Sequence, residues 1–272
     1  MDSPTVFRIR LLTALVAIPL VIALIKAGGW GFFALVLLVL TAATVEFCQL
    51  VGKIHFRPAI PLAIALLWIL LLDAQFPHQG ILGPGMSLVL LGSLAWQMAH
   101  RQGNPVADWA LTIVGALYIG WCGAHLLRLR NMPEGLWWTM TVLPAIWLAD
   151  SGAYLVGRAW GRHKLAPTLS PGKTWEGYIG GIVVGTLLTT GLAALWSMVS
   201  GPTGPRAIDG LGIGLVVCTL APAGDLAVSM IKRQVGAKDS GTLFPGHGGA
   251  LDRVDSTLWA AILGYYYILW LR

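Results

Sequence analysis

The chain has 272 residues, of which 56% are hydrophobic and only 11% charged. A soluble domain carries about a quarter of its residues as charges, so a soluble globular protein is excluded. The net charge of +6 does not argue for a nucleic-acid partner, because in a membrane protein the placement of bases matters more than their number.

The reading is an all-α fold, a polytopic transmembrane helical bundle embedded in a lipid bilayer. Arg8 and Arg10 precede the apolar run Leu11 to Ile25, which reads as a first membrane helix, with no small-x-small cleavage site behind it. Further apolar runs cover Trp30 to Leu50, Ala59 to Leu72, Ile81 to Ala99, Trp109 to Leu127 and Leu136 to Val156. Three more follow, from Trp175 to Val199, Leu211 to Ile231 and Gly249 to Leu271, making about nine transmembrane helices. With nine crossings, thirteen of the 18 basic residues fall on the side holding the N-terminus, which places a cytosolic N-terminus by the positive-inside rule. Residues 1–130 read as a scaffold of N-terminal transmembrane helices. Residues 131–272 read as C-terminal helices carrying a catalytic cleft at the cytosolic face, within one integral membrane domain.

Cys48, Cys122 and Cys218 lie far apart inside apolar runs with no CxxC spacing, and read as small buried hydrophobes. Gly177, Gly181 and Gly185 repeat at a small-xxx-small spacing. That stripe admits a close helix, from the same bundle or from a second subunit.

Charge concentrates in two islands. The first, Gly224 to Ser256, holds Asp225, Asp239, Asp252 and Asp255 together with Lys232, Arg233, Lys238 and Arg253. On one helix, Asp225, Ser229 and Lys232 share a face. A carboxylate at that depth needs a cation, either a salt-bridge partner or a metal. Asp252 and Asp255 stand in the first turns of the last helix, where they could cap it or hold a ligand. A hairpin between the last two helices would bring Asp225 and Asp252 together, and paired hard oxygens suit Mg²⁺, with phosphates completing its shell. The four bases are candidate phosphate clamps, and the turn Pro245 to Gly249 could bring backbone N–H groups to an anion. His247 within it reads as a substrate or backbone contact.

The second island runs from Asp150 to Gly177. Its SPGKT stretch is not a Walker A loop, because position 167 is Pro where that pattern needs Gly, and no strand is expected before it. Lys164 and Lys173 either touch phosphates or anchor the cytosolic face. Glu46, a further intramembrane acid, is expected to pair with one of these bases.

The segment Ser229 to Ser256, SMIKRQVGAKDSGTLFPGHGGALDRVDS, closely resembles the signature of the phosphatidate cytidylyltransferase (CDP-diacylglycerol synthase) family. Every fixed position of that signature is present; Ala250 stands where the family usually has a larger aliphatic residue. Asp150, Tyr154, Gly157, Ser170 to Thr174, Glu176 and Gly177 also look like the family, and Glu46 looks like its second-helix acid. The resemblance implies an enzyme of the bacterial inner membrane, often a homodimer, with its active site facing the cytosol. It implies conversion of CTP and phosphatidate to CDP-diacylglycerol and pyrophosphate, with Mg²⁺ required and K⁺ implicated. It further implies metal binding by Asp225 and Asp252, with Ser229 and Lys232 beside them. Around these, Lys232, Arg233, Lys238, Asp239, His247 and Arg253 are the expected catalytic group. Ser229, Lys173, Lys164, Asp150 and Asp255 are the expected substrate-binding residues. A CDP-alcohol phosphotransferase is discounted, because its Asp-Gly-x-x-Ala-Arg pattern is absent. An ion-coupled transporter is disfavoured, because the charges collect at one face rather than at the midplane of two related halves.

Overall fold

The structure, a computed structural model, describes residues 4–100, 103–243 and 248–271. The chain divides into two compact units, Met1–Leu127 with Lys232–Val254, and Arg128–Ile231 with Asp255–Arg272. The signature segment is thereby split, with residues 232–254 grouped with the N-terminal helices.

In the first unit, α1 (Pro4–Ala27) and α2 (Gly29–Gly52) meet at Gly28, whose φ of 63° suits glycine. They are followed by α3 (Ile60–Gln75), α4 (Leu82–Ala99) and the start of α5 (Pro105–Asn131). In lipid, helices gain little from burying apolar surface against one another, so close packing and hydrogen bonds must join them. Both are present. A side chain at Gly120 of α5 would come within 2.8 Å of Leu70 on α3, and one at Gly85 of α4 within 2.7 Å of Ile69. Trp68 Nε1 donates to Thr41 Oγ1 (3.0 Å) between α3 and α2, and Trp109 Nε1 to Ser93 Oγ (2.9 Å) between α5 and α4.

The second unit contains α6 (Gly135–Trp160), α7 (Trp175–Trp196), α8 (Ala207–Leu220), most of α9 (Pro222–Gln234) and most of α10 (Leu251–Leu271). Its core is built from Trp138, Val142 and Ile146 of α6, Ile213 and Val217 of α8, and Ala260 and Ile268 of α10. The glycine stripe of α7 is spent here. A Cβ at Gly181 would meet the Ala149 carbonyl at 2.7 Å, and one at Gly185 would lie 3.0 Å from the Ala149 Cα. The stripe therefore packs on α6 of the same bundle. The three cysteines are free and buried, as expected of small hydrophobes.

The helices fall where the apolar runs place them, with three differences. Among the described residues, six helical stretches are long and apolar enough to cross a membrane, counting Ala207–Gln234 as one across its turn at Ala221. The 16-residue α3 is too short. The charges at the start of α10 and Tyr265 to Tyr267 lower its apolarity. Second, the run from Leu211 to Ile231 is interrupted at Ala221, because Pro222 lacks an N–H and starts a new helix. Third, the all-α expectation misses an antiparallel hairpin, β1 (Lys164–Ala166) and β2 (Ser170–Thr174), which pairs Lys164 with Thr174 and Ala166 with Ser170. A strand thus does precede SPGKT, contrary to expectation. The stretch is itself extended strand, so it still cannot wrap a phosphate as a Walker A loop does.

Candidate active site

The hairpin delivers the second island to its place. Trp175 N–H donates to the His163 carbonyl (2.9 Å), and Glu176 accepts the N–H groups of Arg162 (3.1 Å) and His163 (3.2 Å) and contacts His163 Nδ1 (2.5 Å). Thr174 caps α7 by accepting from Gly177 N–H (3.2 Å). With β2 fixed at both ends, Lys173 is carried to α9, where its Nζ lies 2.6 Å from Asp225 Oδ2. Gly224 lets α9 close on α10, since a Cβ there would stand 2.5 Å from the Asp255 carbonyl oxygen. Asp150, Lys173, Thr174 and Tyr178 line a small open pocket together with Ala149, Gly177, Gly181 and Cys218.

In the first unit a second constellation surrounds Asp252, in the first turn of α10. Lys232 Nζ donates to its Oδ1 at 2.6 Å. Its Oδ2 accepts from Ser240 N–H (2.7 Å), Ser240 Oγ (3.0 Å) and Gly249 N–H (3.1 Å). The Lys232 ammonium and the two backbone N–H groups compensate the burial of the Asp252 carboxylate. Glu46 of α2 does not follow the expected pairing with a base. It is buried and accepts from Ser240 Oγ (2.8 Å) and the N–H groups of Ala250 and Leu251 (2.9 Å each).

The expected site residues thus fall into two groups. Lys173, Asp225, Asp150, Lys164, Ser229 and Asp255 belong to the second unit, and Lys232, Arg233, Lys238, Asp239, Asp252 and Arg253 to the first. Lys238, Asp239 and Arg253 are exposed, as is Lys164 at the start of β1. Arg233 donates to the Ala237 carbonyl (2.9 Å). Ser229 is buried, and so is Asp255, whose Oδ1 accepts from Ser256 N–H (2.6 Å). His247 lies outside the described residues. Ser240 and Thr174, which bear no charge, fall inside the motifs read from the sequence but are given no role there. The only available signals were Ser240's position beside Lys238 and Asp239, and Thr174's beside the helix-starting Trp175.

Among the described residues no three His, Cys, Asp or Glu side chains converge as a ready-made metal cage. The donor set does fit a hard cation that takes one or two carboxylates and completes its shell with phosphate and water. Asp225 is partly exposed and already attracts an ammonium. Asp252 offers Oδ1, the oxygen that Lys232 holds, more readily than Oδ2, which two backbone N–H groups and the Ser240 hydroxyl surround.

A model of the cytidylyltransferase family matches residues 8–271. The phosphatidate cytidylyltransferase of Synechocystis sp. is 33% identical, with 96% of each chain covered. That of Bacillus subtilis is also 33% identical, covering 94% of this chain and 96% of its own. The Haemophilus influenzae enzyme of the same name reaches 48% identity over 67% of this chain and 65% of its own.

Proposed function

The chain belongs to the cytidylyltransferase family, and on that premise we propose how its residues act. It transfers the cytidylyl group of CTP to phosphatidate, giving CDP-diacylglycerol and pyrophosphate for phospholipid biosynthesis. The observation that carries the residue assignment is a pair of lysine–aspartate contacts, Lys173 with Asp225 and Lys232 with Asp252, each at 2.6 Å and each within a charged island of an otherwise apolar chain.

The phosphate monoester of phosphatidate has a second pKa near 6, so at neutral pH it is largely a dianionic nucleophile. No strong general base is required. One of its oxygens attacks the α-phosphorus of CTP, the bond from that phosphorus to the β-bridging oxygen breaks, and pyrophosphate leaves with the electron pair. The difficulty is bringing two anions into line, which calls for positioning and charge neutralisation. We assign Asp225 and Asp252 as the acids that would hold Mg²⁺, which would supply charge neutralisation on the phosphates. Lys173, released from Asp225, neutralises phosphate oxygens, and Lys232 does so from its fixed place beside Asp252. Exposed Lys238, Arg253 and Arg233 draw the triphosphate and the lipid phosphate to the site, and Asp150 with Lys173 lines the cleft that receives substrate. The exposed Lys164 attracts the same anions, and buried Ser229 and Asp255 support the helices bearing Asp225 and Asp252. Asp239 and His247 are assigned to contact with substrate.

The bias of basic residues toward one side supports an active site facing the cytosol of a bacterial inner membrane. A homodimer would need a surface other than the α7 glycine stripe, which α6 occupies. The test is radiolabelled CTP with phosphatidate and purified protein in detergent. Labelled CDP-diacylglycerol with equimolar pyrophosphate, abolished by chelating Mg²⁺ and restored by adding it back, is expected. Label incorporated without phosphatidate, or unaffected by chelation, would contradict the assignment.

A further inference from the structure

We infer that Glu46 of α2 is a positioning residue for the transfer, acting through Ser240 on Asp252 and Lys232. The inference rests on the proposed roles of those two residues.

Two free N–H groups at the start of α10, Ala250 and Leu251, each point to a different Glu46 oxygen at 2.9 Å. A third donor, Ser240 Oγ, reaches Oε2 at 2.8 Å. The carboxylate therefore joins the start of α10 to the loop that leaves α9. The fit is tight on every side. A Cβ on Gly241 would collide with Glu46 Oε1, and one on Gly249 with Ser240 Oγ and Glu46 Oε2. These two glycines of the signature segment are thereby explained by an acid about two hundred residues earlier.

The connection to Asp252 runs through one atom. Ser240 Oγ also lies 3.0 Å from Asp252 Oδ2 and 3.3 Å from Asp252 N–H. A hydroxyl has one proton and two lone pairs. It donates to one carboxylate while accepting from Asp252 N–H, so Glu46 sets where the hydroxyl stands. Ser240 N–H and Gly249 N–H, on either side of the knot, then hold Asp252 Oδ2, leaving Oδ1 turned to Lys232. Glu46 touches none of the groups proposed to meet substrate. It fixes the rotamer of the one that does, as supporting hydrogen bonds do for catalytic ligands.

Glutamine in place of Glu46 offers one acceptor oxygen to two backbone N–H groups and turns an NH₂ toward the other donors. With the full chain in detergent, CTP and phosphatidate, Glu46→Gln is expected to lower kcat roughly 10–100-fold. KM for CTP should move far less, because the substrate contacts remain. Ser240→Ala removes the relay and leaves the helix-end N–H bonds, and should lower kcat in the same way. The double variant should be no worse than the poorer single one, since both break the same connection. A Glu46→Gln that melts earlier yet turns over normally per folded molecule would reduce Glu46 to a structural cap and overturn the inference, as would additive losses. Should Glu46→Gln fail to fold, Ser240→Ala alone decides, and wild-type kcat in it overturns the inference. Asp252→Asn run alongside separates the two levels. If it is active, the site assignment itself fails; if it is inactive while Ser240→Ala and Glu46→Gln are normal, only the positioning role fails.

Discussion

The two lysine–aspartate pairs share one chemistry and one length, 2.6 Å, but not one environment. Lys173 and Asp225 are each about 30% exposed, whereas Lys232 and Asp252 are 9% and 6% exposed. The first pair hangs between a hairpin strand and a helix, with water at hand to replace either partner. The second is enclosed by Ser240, Gly249 and the start of α10, and its carboxylate already holds four hydrogen bonds. A partly exposed pair contributes less to folding than a buried one, because solvent screens it. A buried pair is costly to break, so its geometry is fixed before substrate arrives. The contrast is between one adaptable pair and one preorganised pair.

That contrast can be broken from either side. The largest effect is expected for Asp252→Asn, which strands the Lys232 ammonium in a buried place. It should destabilise the protein by about 3–5 kcal/mol in reversible unfolding and abolish transfer. Lys232→Met should cost less, about 1–3 kcal/mol, because Asp252 keeps its three other donors. Unfolding midpoints of Lys232→Met and Asp252→Asn measured side by side check that order. Thr174→Ala removes the α7 cap and should cost about 1 kcal/mol. It should lower kcat only modestly, because Glu176 still ties the hairpin to α7; a loss as deep as that of Asp252→Asn would make the hairpin part of the rigid element. Asp225→Asn should change stability least, by no more than about 1 kcal/mol.

How much of this was legible in the sequence depends on what each feature is made of. Apolar runs placed the helices, because a lipid-embedded helix must be apolar along its whole length. The break at Ala221 was masked, since Pro222 interrupts the backbone without interrupting the hydropathy. The hairpin was hidden because its first strand is three residues long and Pro167 and Gly172 read as loop. Both charged islands were visible as islands, and Lys173, Asp225, Lys232 and Asp252 were named within them. The pairings were not, because either lysine could satisfy either acid. Glu46 stood out as an intramembrane acid, yet its partners are two backbone N–H groups and a serine hydroxyl. Backbone groups have no sequence identity, so the search for a matching base was misdirected.

On the proposed assignment Asp225, the less buried of the two acids, is indispensable to chemistry and dispensable to folding. The direct test is the rate of CTP-dependent CDP-diacylglycerol formation per folded molecule of Asp225→Asn, with its unfolding midpoint measured on the same preparation. The predicted result is no detectable product from a protein that melts close to wild type. Near-wild-type turnover, or inactivity explained by unfolding, would contradict it.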